Sequence, residues 1–316
     1  MPRLSIVIPV VGAQDGLDDT LVSVLENRPA NCEILVVHNR PYDDPYDLAA
    51  EVQFLTAPRR ARLAGCLDLA LSHVAAPIFH VLTCGVEVHP GWADAALRRF
   101  RDPSLGSVAA AIVDRRNPHR LLSAGLAYRL EGTIARLAHG AAYPLAVEQD
   151  DDLCGPDTLA AFYRTSAVQA VGGFHDWKSD TAVGADLALA LRQLGLSCEL
   201  EQTCLAHTDL ALLHRHSAVR LGRDAEQLFW RWASPHGLVR SLASHAALVV
   251  GETVCAFWQP SLLARLAGRS MGAIQATIHK RRPAPVAEPI VDLPSVIPAP
   301  HFARERADQS TRAKVA

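Results

Sequence analysis

Short apolar runs alternate with amphipathic stretches through roughly residues 3–210. Leu4-Ser-Ile-Val-Ile-Pro9 predicts a buried strand followed by a turn. Residues 15–25 predict a helix with acidic side chains in its first turn, where the helix dipole favours them. Ile34-Leu-Val-Val37 predicts a second strand and residues 52–56 a third, separated by a proline-punctuated loop. Residues 59–74 carry helical spacing, and Ile78-Phe-His-Val-Leu82 predicts a fourth strand. After Pro90-Gly91 a helix is expected at 92–100, then a strand at 108–113. Residues 121–140 read as short irregular strands, 158–163 as a strand with a helix from Ser166, and 185–194 as a helix closed by Gly195. A short strand is expected at 198–200.

From about Leu210 the period becomes helical only, at 219–232, 238–257 and 262–279. From Arg282 prolines and charges dominate and apolar density falls. The expected fold class is α/β: a Rossmann-like, mostly parallel sheet with helices on both faces and a helical C-terminal extension. The expected organisation is a body at 1–210, the extension at 211–282 and a disordered tail at 283–316.

Composition adds two constraints. The 316 residues carry a net charge of −2. The charge is uneven, with 17 Lys and Arg against 26 Asp and Glu in residues 1–210, and 14 against 7 in 211–316. A basic C-terminal third suggests an anionic partner such as lipid headgroups, or a solvated helical face and tail. The seven cysteines show no paired-cysteine spacing, which points to reduced thiols in the cytoplasm. The chain opens Met-Pro-Arg and enters a strand at once, so no signal segment is expected. No membrane-spanning helix is expected either, because the nearest apolar stretch, 246–258, is short and contains Glu252. Basic and aromatic residues are not interleaved, which argues against nucleic acid. Helices carrying Leu228-Phe-Trp-Arg-Trp232, Phe257-Trp258 and Lys280-Arg-Arg282 would suit peripheral contact at the inner membrane face, or packing against the body.

Four stretches in order carry a family resemblance. They are Leu4-Ser-Ile-Val-Ile-Pro-Val10, Glu33-Ile-Leu-Val-Val-His-Asn39, Val81 to Trp92 with its Glu87-Val-His-Pro-Gly-Trp, and Val171-Gly-Gly-Phe-His-Asp176 with the helix after Gly184. Together they resemble the family-2 glycosyltransferases with the GT-A fold. The resemblance implies transfer of a sugar from a UDP- or GDP-type nucleotide sugar to a glycan or other acceptor hydroxyl. It implies a carboxylate on the nucleoside and an Asp-x-Asp-type motif holding Mn or Mg on the diphosphate. It also implies a carboxylate base at the late helix.

This chain departs at all three positions. The nucleoside position is His38, the metal position falls in Thr83-Cys84-Gly85, and the base position is Gly184. Candidate substitutes are Glu87 and His207 for metal, and Asp180 or Asp186 as base. Pro9, Val10, His38, Asn39, Arg59, Arg62, Cys84 and Gly85 are the candidate nucleotide contacts; arginine in particular reads phosphate bidentately. Asp180 could act only if the loop 178–181 folds inward, and Asp186 sits at a position that usually braces the helix. The Asp150-Asp-Asp152 run is either solvated or an acceptor contact. Two readings stay open: an active transferase with an altered metal site, and a degenerate GT-A scaffold that binds a nucleotide, glycan or protein without turnover.

Overall fold

In the computed structural model, residues 1–276 are described except 13–15, 43, 147–151, 214–215, 234–237 and 257. The candidates Asp150, Asp151, Phe257, Lys280, Arg281 and Arg282, and the 283–316 tail, lie outside the described residues.

The chain runs β1 (Leu4–Val10), α1 (Leu17–Asn27), β2 (Cys32–His38), β3 (Gln53–Thr56), α2 (Leu63–Leu71), β4 (Ile78–Leu82), β5 (Val86–Val88) and α3 (Asp94–Arg99). It continues through β6 (Leu105–Asp114), β7 (Asn117–Ser123), β8 (Leu126–Tyr128), β9 (Ile134–Arg136), β10 (Leu153–Gly155), β11 (Ala160–Arg164), α4 (Thr165–Ala170), α5 (Asp180–Gln193) and β12 (Ser197–Thr208). A short α6 (Leu210–Leu213) leads to α7 (Ala218–Trp232), α8 (Leu238–Cys255) and α9 (Pro260–Ala276).

The main sheet has the order β3-β2-β1-β4-β11-β6-β12-β5, with β7 on β6. Strands β3, β2, β1 and β4 are parallel, as their uniform apolarity predicts. Strand β11 then inserts antiparallel between β4 and β6, and β12 returns parallel to β6. Both faces of β1 are buried. Leu4, Ile6 and Ile8 pack with Leu21 and Val24 of α1, and Val7 packs with Leu67 of α2 and Val81 of β4. Side chains alternate across a strand, so one apolar run supplies two cores.

The structure moves several expected boundaries. Helix α5 begins at Asp180, five residues before the apolar periodicity at 185, because Gly184 weakens the pattern without ending the helix. The 198–200 strand extends to Thr208, held by β6 on one side and β5 on the other. Helix α2 is shorter than its 59–74 periodicity, and α3 begins two residues after Trp92. Helix α8 bears on the expectation of no membrane-spanning helix. On length and composition alone it could cross a membrane, with mean hydropathy 1.2 over 18 residues. The sequence criterion demanded an unbroken apolar run, which His245 and Glu252 interrupt.

Helices α7 and α9 approach closely because glycines face the contact. A Cβ on Gly222 would meet the Arg265 carbonyl at 2.1 Å, and one on Gly268 would meet that of Val219 at 2.1 Å.

His80 of β4 is fully buried between Trp92 (4.6 Å) and Phe162 (3.9 Å). Burial pushes its imidazole down to about 3. Between about pH 6.5 and 3 the unfolded chain therefore binds a proton that the folded chain refuses. His80's contribution is fully present above that window and is lost as pH falls through it. Chemical denaturation should show about 3 kcal/mol lost on this account between pH 7 and 4. His80→Leu should flatten that slope; an unchanged slope would refute the assignment.

Candidate active site

A cavity of about 240 Å³ opens at the carboxyl ends of β1 and β4. In an open α/β sheet this is where ligands bind. Its lining is Pro9 near the end of β1 and Val11 just after it, Arg62 and Leu63 at the start of α2, and Thr83 after β4. Trp177, Lys178 and Asp180 come from the start of α5, and His216 and Arg220 from the start of α7. Arg62, Lys178 and Arg220 carry charge +1 each, against one lining carboxylate, Asp180. The N-termini of α2 and α5 add their partial positive ends.

The loop before α5 does fold inward, and a buried carboxylate holds it there. Asp224 of α7 accepts the backbone N–H groups of Lys178 (2.9 Å) and Ser179 (2.6 Å). Burial raises the Asp224 carboxyl, against the lowering pull of these hydrogen bonds. Asp180 follows at once, linked to β4 through hydroxyls: Thr83 donates to the Thr158 carbonyl (3.0 Å) and Thr158 to the Asp180 carbonyl (3.3 Å). His216 Nε2 lies 3.1 Å from the Asp180 carboxylate and 3.3 Å from its backbone N–H. When neutral, Nε2 can accept from that N–H; when protonated it can donate to the carboxylate.

Positive charge is crowded here. Burial, then Arg223 and Arg62, hold the Lys178 ammonium below its ordinary value. Arg62 is paired with Asp176 at 2.8 Å. An anion in the cavity would relieve this repulsion.

The family model described as glycosyl transferase family 2 matches residues 5–169, just over half of the chain. The chain belongs to glycosyl transferase family 2. The mannosyltransferase PcManGT from Pyrobaculum calidifontis, in complex with GDP-Man and Mn2+, is 15% identical over 87% of each chain, with a TM-score of 0.51. GalNAc-T7 with UDP, GalNAc and Mn2+ is 12% identical over 90% of this chain and 59% of that one, at 0.55. TarS 1–349 from S. aureus is 12% identical over 87% and 80%, at 0.54. At these identities the likeness is one of fold, and it is the GT-A fold. No curated protein matches the chain.

Against the family pattern, the structure sorts the candidate residues into three groups. Pro9, Arg62 and Asp180 line the cavity. A second group frames it without lining it. Val10 is core, and Cys84 is buried next to the lining Thr83. Asn39 accepts from Gly12 N–H (3.1 Å) and donates to the Ala61 carbonyl (2.8 Å), pinning the β1 turn to the approach of α2. His38 is buried at the end of β2, its Nδ1 2.6 Å from the Arg40 carbonyl and its ring 6.2 Å from Tyr42, which stacks on Phe54. Arg59 is exposed in the turn before α2.

The third group lies elsewhere. Asp186 is buried on α5, 2.9 Å from Arg231 Nε and accepting from Trp232 Nε1 at 2.7 Å. Glu87 and His207 come together as register partners on β5 and β12, outside the cavity lining. Glu87 is ion-paired with Arg115, and His207 contacts His89. Burial, then His89 and Arg115, lowers His207 to about 4, so its ring is neutral at pH 7.

These residues do not make a divalent-metal site. At the family's metal position, Gly85 has no side chain and a backbone at φ 91°. Its N–H donates to the Thr20 hydroxyl and its carbonyl accepts from the Thr208 hydroxyl, both at 2.9 Å. Glu87 already has a cation. Among the described residues, no group of three or more His, Cys, Asp or Glu side chains is placed to hold a metal ion.

Sequence reasoning missed Lys178, His216 and Arg220 as cavity residues. His216 and Arg220 lie far downstream of the motif region, so no local spacing could have announced them.

Proposed function

We propose that the cavity receives the diphosphate of a nucleotide sugar and that the chain transfers the sugar to an acceptor hydroxyl. The observation that carries this reading is that Arg62, Lys178 and Arg220 line one cavity, with Asp180 as its one lining carboxylate, at the carboxyl ends of the strands. The solved structures named above include GDP-Man and UDP as ligands, which supports the donor class. The cavity is smaller than the roughly 300–1,000 Å³ that encloses a whole drug-sized ligand. It therefore takes the diphosphate and sugar end, with the nucleoside towards His38 and Asn39.

In this reading Asp180 accepts the proton of the acceptor hydroxyl, with His216 orienting the carboxylate. The acceptor oxygen bonds the anomeric carbon as the bond to the diphosphate breaks. The departing diphosphate keeps the electron pair, and its charge is met by Arg62, Lys178, Arg220 and the helix N-termini. Side-chain cations thus stand where the resemblance implied Mn or Mg. Residues 1–210 form the catalytic body, and the 211–282 extension completes its site through His216 and Arg220.

The absence of the family's carboxylates at His38, Gly85 and Gly184 favours a second reading, a scaffold that binds the nucleotide without turnover. Calorimetry with UDP- and GDP-sugars, in EDTA and in Mn²⁺, followed by assay of released nucleoside diphosphate, separates the two. Binding should be the same within about twofold in both buffers. Arg220→Ala should weaken it about 10–100-fold, the loss of one or two charge-assisted hydrogen bonds. Absence of binding to either donor class would sink both nucleotide readings. Tight binding without release of nucleoside diphosphate would leave the scaffold.

A further inference from the structure

Helix α8 is apolar on its outer side as well as on its inner one, where Leu238, Leu242, Leu248 and Val249 are half-buried. Its buried residues are Ser241, His245 and Glu252, all polar. Two residues earlier in each case, about 200° around the helix, stand Val239, Ala243 and Val250, and all three are exposed. Val254 extends the same stripe; Val239 is 82% exposed, Val250 62% and Val254 59%. The buried polar face is tied down. His245 Nε2 is 3.1 Å from Glu226 of α7, and Arg269 of α9 joins Glu226 (3.3 Å) to Glu252 (2.7 Å).

A helix bathed in water turns its apolar stripe to the core and its charges outward. A second apolar stripe left on the outside fits an outside medium that is itself apolar. Trp258, 86% exposed, stands just beyond the C-terminal end of α8, and Leu263, Met271 and Ile274 are exposed on α9, which packs against α8.

Charge decides between a lipid and a protein occupant. Residues 216–276 contain three carboxylates, Asp224, Glu226 and Glu252, and all are buried. Arg240, near the N-terminal end of α8, is exposed. A surface with valines at its centre, a tryptophan and an arginine at its ends and no exposed carboxylate suits anionic headgroups over acyl chains.

We propose that the outer face of α8, with the adjoining face of α9, lies on an anionic lipid bilayer, in the plane of its interface. The helix does not cross the bilayer, because His245 and Glu252 bind its inner face to α7 and α9. This inference rests on the C-terminal helices alone and does not depend on the proposed activity.

The test is flotation of the full chain with vesicles of phosphatidylcholine, and of phosphatidylcholine containing phosphatidylglycerol. The chain should float with the anionic vesicles and much less with the neutral ones. Val250→Asp/Val254→Asp should lower the partition constant at least tenfold, on the order of two valines withdrawn from an apolar phase. Its melting curve should match that of the parent. Val250→Ser/Val254→Ser gives a milder loss and guards against a folding defect. Failure to float with either vesicle, equal recovery on both, or undiminished flotation of the folded variants would overturn the proposal. So would a lipid-free dimer that the same variants dissociate, which would assign the face to a second copy of the chain.

Discussion

Asp180→Asn is expected to lower sugar transfer about 10²–10⁴-fold, the usual contribution of a positioned base. Donor affinity should stay within about threefold, because the asparagine keeps the size and place of the carboxylate. Among the residues that line the cavity, Asp180 is the one carboxylate, and its own backbone and side chain both touch His216. Steady-state rates against pH supply the second readout. A lost base removes the acidic limb of the profile, whereas a merely structural defect scales the whole curve. A variant that retains more than a tenth of parental turnover would exclude Asp180 as the base.

Asp186→Ala should act in the opposite way, on stability first. The carboxylate is 1% exposed and holds Arg231, itself buried, and the Trp232 indole. Removing one partner of a buried ion pair leaves an uncompensated charge and costs about 3–5 kcal/mol. For a domain of this size each kcal/mol lowers Tm by about 2–4 °C, so the expected drop is on the order of 10 °C. The damage should reach the site as well. The Arg231 guanidinium sits 5.7 Å from the Trp177 ring centroid, and Trp177 lines the cavity. A variant with unchanged Tm and abolished transfer would instead make Asp186 a reacting group.

The two aspartates illustrate how far a sequence can be read. Both stand on one helix, six positions apart, and periodicity alone favoured neither. Asp180 faces the cavity because Asp224, on a helix some forty residues downstream, captures the backbone of Lys178 and Ser179. Asp186 faces Arg231 because α7 packs against that side of α5. Both orientations are set by long-range contacts, which leave no local trace. The same holds for Glu87. Sequence offered it as a replacement metal ligand two residues beyond Gly85, yet pairing with β12 places it beside Arg115 and His207, outside the cavity lining.

Local patterning nonetheless determined a good deal. Unbroken apolar runs at β1, β2 and β4 require strands buried on both faces, and such strands are parallel and helix-covered. The four motif stretches, in order, were enough to place the chain in glycosyl transferase family 2, which the family match over 5–169 bears out. The loss of the family's carboxylates was also plain from His38, Gly85 and Gly184. What only the tertiary structure decided is which side chains line the cavity. Arg62 reaches the cavity from the first half of the fold, Lys178 from the loop before α5, Asp180 from the first turn of α5, His216 from the approach to α7 and Arg220 from its first turn. The exposed valine stripe of α8 was likewise hidden, because its composition is the same whether the valines face in or out. Periodicity records that a face exists; the partner that covers it is fixed by packing between segments far apart in the chain.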